Sequence, residues 1–313
     1  MLLETSAEEL RAVEACVGRS RSPGTYKKNC RSDSGLRDFV RSRGEMDIPI
    51  PALAPDFFEA YRFYLKRRGY AASTTNRYLH WLGRLIKRAV ARGVIRFNPF
   101  EGVRYETAKY RPRFLQKHEV ERLLAFPVRD EATELSRRMF LFSVFTGLAY
   151  ADLRALKVSQ IETDGAGRRY IRKARQKTRE ESLVPLHPIA ERILSLYLKG
   201  DKTADRRIFP DASYDRLAHR LKAVGTACGL REPLTFHVGR HSFGTLTLEA
   251  GISMESIARM MGHASVTTTE LYARITDQKI SEDVDRLIAR RRKAGEGGAA
   301  PGNRMGKSPE QGA

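Results

Sequence analysis

The sequence predicts a mainly α protein, a small helical domain followed by a larger mixed α+β domain with a short antiparallel sheet. Three observations lead there. At 313 residues the chain has room for two domains. Its first third holds two long segments with apolar residues at helical spacing. Past residue 168, two short β-like runs flank a polar turn. Hydrophobic residues make up 41% and charged residues 30% of the chain, which excludes a mainly disordered protein. The longest apolar run, Met139 to Ala151, is broken by Ser143, Thr146 and Gly147 and is too short to span a bilayer. Met1-Leu2-Leu3-Glu4 lacks the basic stretch that opens a secretory signal. Cys16, Cys30 and Cys228 fit neither a disulfide framework nor a zinc spacing, so a reducing cytoplasm is expected.

Residues 1–23 read as an N-terminal extension with a short helix from Ala7 to Val17. A helical domain is expected over 24–105. It starts with a weakly helical segment bearing Leu36, Phe39 and Val40, then Ile48-Pro49-Ile50-Pro51, which its prolines hold extended. Ala54 to Arg68 places Phe57, Phe58, Tyr61, Tyr64 and Leu65 on one face, and Gly69 ends it. Ser73 is expected to cap a helix from Thr74 to Arg92 with the stripe Tyr78, Trp81, Leu82, Leu85, Ile86 and Ala89. A linker through Arg111-Pro112-Arg113 leads to a second domain over 112–290. Its expected helices are Lys117–Ala125, Glu134–Phe145, Ala151–Leu156, Ile189–Leu198, Tyr214–Cys228, Gly239–Ala250, Met254–Met261 and Thr268–Arg274. Between the third and fourth lies a hairpin, Arg169–Ala174 and Ser182–Leu186, turning near Thr178 to Glu181. Residues 291–313, rich in Gly, Ala, Pro and basic residues, read as a disordered tail.

The net charge of +20 is unevenly spread. Residues 61–97 carry ten basic residues and no acid. Arg168, Arg169, Arg172, Lys173, Arg175, Lys177 and Arg179 form a second cluster, acid-free until Glu180. A solvated face normally mixes signs, because like charges at helical spacing repel. Two such stretches point to a polyanion, first of all nucleic acid, with Arg62, Lys66, Arg67, Arg68, Arg77, Arg84, Lys87 and Arg88 as candidate DNA contacts. Acidic lipid is the rival and fits less well, since neither segment joins its charge to a long apolar face.

Chemistry concentrates in His237-Val-Gly-Arg240-His241, Met261-Gly262-His263 and Thr268-Thr-Glu-Leu-Tyr272. On a helix His237 and Arg240 share a face. Gly262 permits a sharp helix stop that leaves His263 at a turn, and Thr267 or Thr268 can cap the helix presenting Tyr272. Lys177 sits at the hairpin tip. The set offers a nucleophile, a cation for phosphate oxygens, two imidazoles and an ammonium acid. Each member alone has a plain structural explanation. His237 and His241 have i,i+4 zinc spacing, but no glutamate lies between them and no third ligand is evident, so no metal is expected.

Taken in order, the set resembles the tyrosine recombinases, also called phage-type integrases, over about residues 24–290. His-x-x-Arg-His at 237–241, Gly-His at 262–263 and Tyr272 nine residues on carry the likeness most specifically. Lys177-Thr178 before Val184-Pro185-Leu186 looks like the family's catalytic lysine turn, and residues 73–99 look like part of its core-binding domain. The resemblance implies a SAM-like core-binding domain over 24–105 and a catalytic domain over 112–290. It implies cleavage and rejoining of double-stranded DNA at specific recombination sites through a 3′-phosphotyrosyl intermediate, without a cofactor. Tyr272 would be the nucleophile, Arg240 would hold phosphate oxygens, and His237 would be general base. Lys177 would protonate the leaving oxygen, and His263 would bond a phosphate oxygen. It further implies a homotetramer on DNA joined through the segment from Asp277 to Arg290, accessory DNA-bending proteins, no membrane, and a nucleoid-associated place in the cytoplasm.

One position departs. Where the family usually reads Thr-Gly-Leu-Arg, this chain reads Thr146-Gly147-Leu148-Ala149, keeping the acid at Asp152. A mobile-element branch of the family also lacks that arginine. The leading expectation is therefore an integrase or excision enzyme of a mobile element. The alternatives are a resolvase or invertase of the same chemistry, a type IB topoisomerase, and a DNA-binding relative without cleavage. Arg138 and Arg154 are the nearest cations to weigh as substitutes.

Overall fold

The protein is described by a computed structural model covering residues 1–107, 112–198 and 203–272, together with 284, 285 and 288. The chain divides into two compact units, between residues 110 and 111. The first is built from α1 (Leu2–Ala15), α2 (Pro23–Ser42), α3 (Pro55–Arg67) and α4 (Ala72–Ala91). Apolar residues at helical spacing give one core, with Leu36, Phe58, Tyr61, Leu65, Leu79, Leu82, Leu85 and Ile86 fully buried. Gly35 is required there: a Cβ at that position would lie 2.4 Å from the Tyr78 ring.

Residues 1–23, set apart above as an extension, contribute α1 to this core through Leu2 and Leu3. A buried polar chain fastens it. The Trp81 indole donates to Ser6 Oγ at 2.9 Å, and Ser6 donates to Asp33 Oδ1 at 2.5 Å. Arg37 Nε then donates to the other Asp33 oxygen at 2.8 Å. Other expectations shift. The second segment is a full 20-residue helix rather than a weak one, capped by Ser22 with Pro23 at its first position. Ser73 caps nothing, because α4 begins at Ala72, two residues before the expected start, with Ala71 at its N-cap. Ile50–Ala52 makes a 3₁₀ turn inside the stretch expected to be extended.

The second unit wraps around α6 (Glu131–Thr146), which starts at the Asp130 cap and ends at Gly147, φ 69°. Its Met139-Phe-Leu-Phe-Ser-Val144 run is buried on all sides, as a helix apolar all round must be. α5 (Lys117–Ala125), α7 (Tyr150–Arg154), α8 (Pro188–Tyr197), α9 (Tyr214–Ala227) and α10 (Phe236–Glu249) surround it. Beside α11 (Met254–Met261) lies an antiparallel sheet in the order β1 (Ile161–Thr163), β2 (Arg169–Ala174), β3 (Glu181–Pro185). The expected hairpin is β2–β3, with Ile171 opposite Val184. β1 has no counterpart in the sequence reading, since three residues are too few to show a period. Among the described residues no helix is long and apolar enough to cross a membrane. The proposed docking segment 277–290, apart from residues 284, 285 and 288, and the tail 291–313 lie outside the described residues.

The Ser6 chain makes a contrast testable by urea unfolding followed through Trp81, the sole tryptophan. Ser6→Ala strands the indole N–H and one Asp33 oxygen and is expected to cost about 1–3 kcal/mol. The buried Tyr61 hydroxyl has no hydrogen-bond partner, so Tyr61→Phe is expected to leave stability equal or raised.

Candidate active site

The site is organised by α10. Thr235 caps it by accepting from Val238 N–H at 3.2 Å, so the helix starts at Phe236, before the Gly239 expected from sequence. His237, Arg240, His241 and Gly244 thereby follow one another along adjoining turns. Arg240 is 4% exposed. Its Nη1 donates to Gly147 O at 2.5 Å and its Nη2 to Met261 O at 2.7 Å. Both carbonyls end helices that stop in the left-handed conformation, Gly147 after α6 and Gly262, φ 60°, after α11. Helix C-termini carry partial negative charge, so they suit a cation. Burial, with the charge of Arg175, pulls the Arg240 pKa down to about 10. The guanidinium remains charged at neutral pH.

Tyr272 sits on a 3₁₀ turn, Glu270–Tyr272, rather than on the expected α-helix. The preceding turn, Val266–Thr268, is capped by Ser265 and not by Thr267 or Thr268. The phenol is buried against Phe243, Ile257 and Met261. Gly244 makes the space, since a Cβ there would lie 2.7 Å from the ring. The Tyr272 hydroxyl lies 3.0 Å from His241 Nδ1, and His241 Nε2 lies 2.8 Å from His237 Nε2. Burial, then His237 and Arg240, lower the His241 pKa to about 4, so the ring is neutral at pH 7. A neutral imidazole has one N–H and one lone pair. If Tyr272 donates to Nδ1, His241 must donate from Nε2 to His237. His237 itself is exposed, with a pKa lowered by partial burial and then by Arg240, Lys177 and Arg175.

This changes one expectation: the imidazole at the tyrosine is His241, and His237 is reached through it. The i,i+4 pair was visible in sequence as metal spacing, but the contact with a residue 31 positions away was not. His263 stacks parallel to Tyr272 at 6.5 Å between ring centroids. Its Nδ1 is 2.9 Å from the Oγ1 of buried Thr269, and burial first, then Arg240, holds its pKa at about 4.

Lys177 occupies the exposed hairpin turn, and its ammonium has no partner among the described residues. Its neighbours tie that turn to the site. Gln176 N–H donates to Asp152 Oδ1 at 2.8 Å, and Thr178 Oγ1 donates to Gly262 O at 3.0 Å. Ala149 is the N-cap of α7 and offers no capping side chain. Both cations weighed as its substitutes are ion-paired. Arg138 is paired with Glu134 at 2.7 Å, and Arg154 with Asp211 at 2.7 Å.

In the helical unit the acid-free segment finds its acids elsewhere. Glu9 of α1 meets Arg88 and, at 3.9 Å, Arg84. Glu8 meets Arg92 at 2.5 Å, Asp38 meets Arg68 at 3.3 Å, Glu106 meets Lys66, and Glu59 meets Arg62 at 2.9 Å. Arg67, Arg77 and Lys87 have no ion-pair partner among the described residues. A groove of about 390 Å³ is lined by Asn29, Ser73, Asn76, Arg77, His80, Trp81 and Arg84. Asn29 Nδ2, Asn76 Oδ1 and Arg77 Nε are buried without a hydrogen-bond partner among the described residues.

The neutral imidazoles set a pH dependence. His241 and His263 have folded values near 4 against an ordinary 6.5, so between these the unfolded chain binds more protons than the folded one. Their contribution to stability is complete above about pH 6.5 and lost as pH falls toward 4. The thermal midpoint of the second unit, followed by circular dichroism, is expected to fall from pH 6.5 to 5.5, where carboxylates are still ionised. His241→Gln is expected to flatten that slope.

Known proteins match the chain in both of its units. Residues 8–110 match the phage integrase SAM-like domain. Tyrosine recombinase XerC of Haemophilus influenzae (strain PittEE) is 26% identical over 266 residues, covering 79% of this chain and 89% of the relative. Tyrosine recombinase XerD of Listeria monocytogenes serotype 4b (strain F2365) is 26% identical over 296 residues, covering 85% and 93%. The fold is shared with the Tn1549 transposon integrase in complex with a circular-intermediate DNA, at TM-score 0.70 and 18% identity, over 91% of this chain and 99% of that one. It is also shared with a λ integrase dimer bound to a COC′ core site, at TM-score 0.67 and 22% identity, over 88% and 98%. Residues 113–279, more than half of the chain, match the phage integrase family, and the protein belongs to that family.

Proposed function

We propose that the protein is a site-specific DNA recombinase that cuts and rejoins DNA through Tyr272. One observation carries this: a buried tyrosine hydroxyl bonded to a neutral imidazole, on the helix whose Arg240 holds a desolvated positive charge. Tyr272 Oη attacks a backbone phosphorus and the bond to the 5′-oxygen breaks. A 3′-phosphotyrosyl bond and a 5′-hydroxyl result. The phenolic proton passes to His241 Nδ1 as the Nε2 proton passes to His237. Lys177 gives a proton to the departing 5′-oxygen. Arg240 and His263 face the oxygens where charge gathers in the pentavalent state. The covalent bond conserves the phosphodiester energy, so rejoining is the reverse attack by a 5′-hydroxyl and needs no external energy source.

Exchange between two sites, each holding two protomers, makes four protomers on two duplexes. Integration or excision of a mobile element in the cytoplasm is the role that fits the departure at Ala149. The same departure favours the second reading, a DNA binder without cleavage.

A nicked duplex bearing the core site, taken from DNA flanking the protein's own element, separates the two. Wild type is expected to form an SDS-resistant adduct, and Tyr272→Phe none while still binding. His241→Phe is expected to slow the adduct by about 10²–10⁴. An adduct from Tyr272→Phe, or none from wild type, would overturn cleavage at this tyrosine. An unaffected His241→Phe would remove the proton relay.

DNA affinity gives a further check through its salt dependence. Arg67, Arg77 and Lys87 are without acidic partners, and replacing each by alanine is expected to lower the log–log slope by about 0.9. Replacing Arg84 or Arg88, both held by Glu9, is expected to lower it less. Equal effects would show that the internal ion pairs open on DNA.

A further inference from the structure

We infer that Arg175 is a second phosphate-binding cation of this site, standing in for a guanidinium at position 149; the inference rests on the cleavage reading above. Arg175 follows β2 directly and its side chain is 15% exposed. Its Nη1 donates to Gly262 O at 3.3 Å, while Arg240 Nη2 donates to the preceding carbonyl, Met261 O. Two guanidiniums thus share one helix end and pack with Leu148, Asp152 and Lys173 around a space too small for a water molecule. Position 149 borders the same place. Gly147 O receives Arg240, Leu148 lines that space, and Asp152 is one turn further along α7.

The charges there do not balance. Arg175, Arg240 and Lys173 face a single carboxylate, Asp152. Asp152 spends Oδ1 on Gln176 N–H, and its Oδ2 stands 3.8 Å from Arg175 Nε, too far for a hydrogen bond. Arg175 Nε is buried without a hydrogen-bond acceptor among the described residues. Like charges in a desolvated cleft repel strongly. Each unspent guanidinium N–H also forgoes a charge-assisted bond. A phosphodiester at the exposed edge of Arg175 relieves both, because its non-bridging oxygens accept from that guanidinium and its charge offsets the two cations. The charge added in the pentavalent state draws on the same donors. Arg138 and Arg154, by contrast, each hold a carboxylate, Glu134 and Asp211, that a phosphate would have to displace.

Two arms test this on the full chain. In single-turnover adduct formation on the nicked duplex, Arg175→Ala is expected to lose about 10²–10³ in rate, with DNA affinity retained. Arg175→Lys is expected to fall between that and wild type. Ala149→Arg is expected to restore Arg175→Ala, which loss of a merely structural contact would not allow. A full-rate Arg175→Ala, or a slow one that Ala149→Arg leaves slow, overturns the inference. The second arm titrates inorganic phosphate against the histidine ring signals in NMR. Wild type is expected to bind, and Arg175→Ala to bind more weakly with an unchanged thermal midpoint. If wild type forms no adduct, the cleavage reading fails and the phosphate arm alone judges Arg175. Equal binding by the two proteins, or none by wild type, overturns it.

Discussion

The buried Arg240 guanidinium is the constraint on which the second unit depends. A desolvated charge must be met by fixed dipoles, and here they are the terminal carbonyls of two helices. That requires α6 and α11 to stop where they do, and both stop on a glycine with positive φ. At Gly147 a Cβ would also collide with the Phe243 ring at 2.5 Å. Fixing Arg240 fixes the rotation of α10, which carries His237 and His241 and leaves Gly244 as the recess for the Tyr272 ring. Removing one partner of a buried, hydrogen-bonded charge costs more than an ordinary contact, because the other partners are left unpaired. Fold and chemistry therefore draw on the same two hydrogen bonds.

What was legible in the sequence follows from range. The helix stops at Gly147 and Gly262, the β2–β3 pairing and the shared face of His237 and Arg240 are set by residues a few positions apart, and they read correctly. The cap of the Tyr272 turn is also local, yet it fell on Ser265 because a 3₁₀ turn places its cap differently from the α-helix expected there. The role of His241 depends on a contact across 31 positions, which no local pattern encodes. The ion pairs of the basic segment 61–97 were illegible for the same reason. Its arginines are solvated in the sequence but meet Glu8 and Glu9 about 80 positions away in the fold. Arg175 was counted as one charge in a run, whereas burial sets it apart from exposed neighbours such as Arg172 and Lys177.

Those ion pairs qualify the charge argument without cancelling it. An exposed pair of this kind contributes about 0–1 kcal/mol, so a phosphate can displace the carboxylate at little cost. What the pairs change is the partition of labour. Arginines held by α1 and α2 help fasten the helical unit, while unpaired Arg67, Arg77 and Lys87 keep their whole charge for a ligand. The groove around Arg77 and Trp81 adds amide and guanidinium atoms without partners, groups able to bond sugar, phosphate or base edges.

The imidazoles and the cations of the site are coupled through charge. Burial makes the largest contribution to keeping His237, His241 and His263 neutral, and Arg240 adds to it in all three, with Arg175 acting on His237 and His263. These rings are therefore poor proton acceptors on their own. On the cleavage reading, a phosphodiester held beside Arg240 would offset the positive potential there and raise the proton affinity of the nearby rings. The acceptor for the Tyr272 proton is thus strengthened by the arrival of the group that Tyr272 attacks. The same offset lets the guanidiniums lie close together without mutual penalty. On the cleavage reading, the neutral imidazoles are weak bases before DNA binds, and a bound phosphate strengthens them.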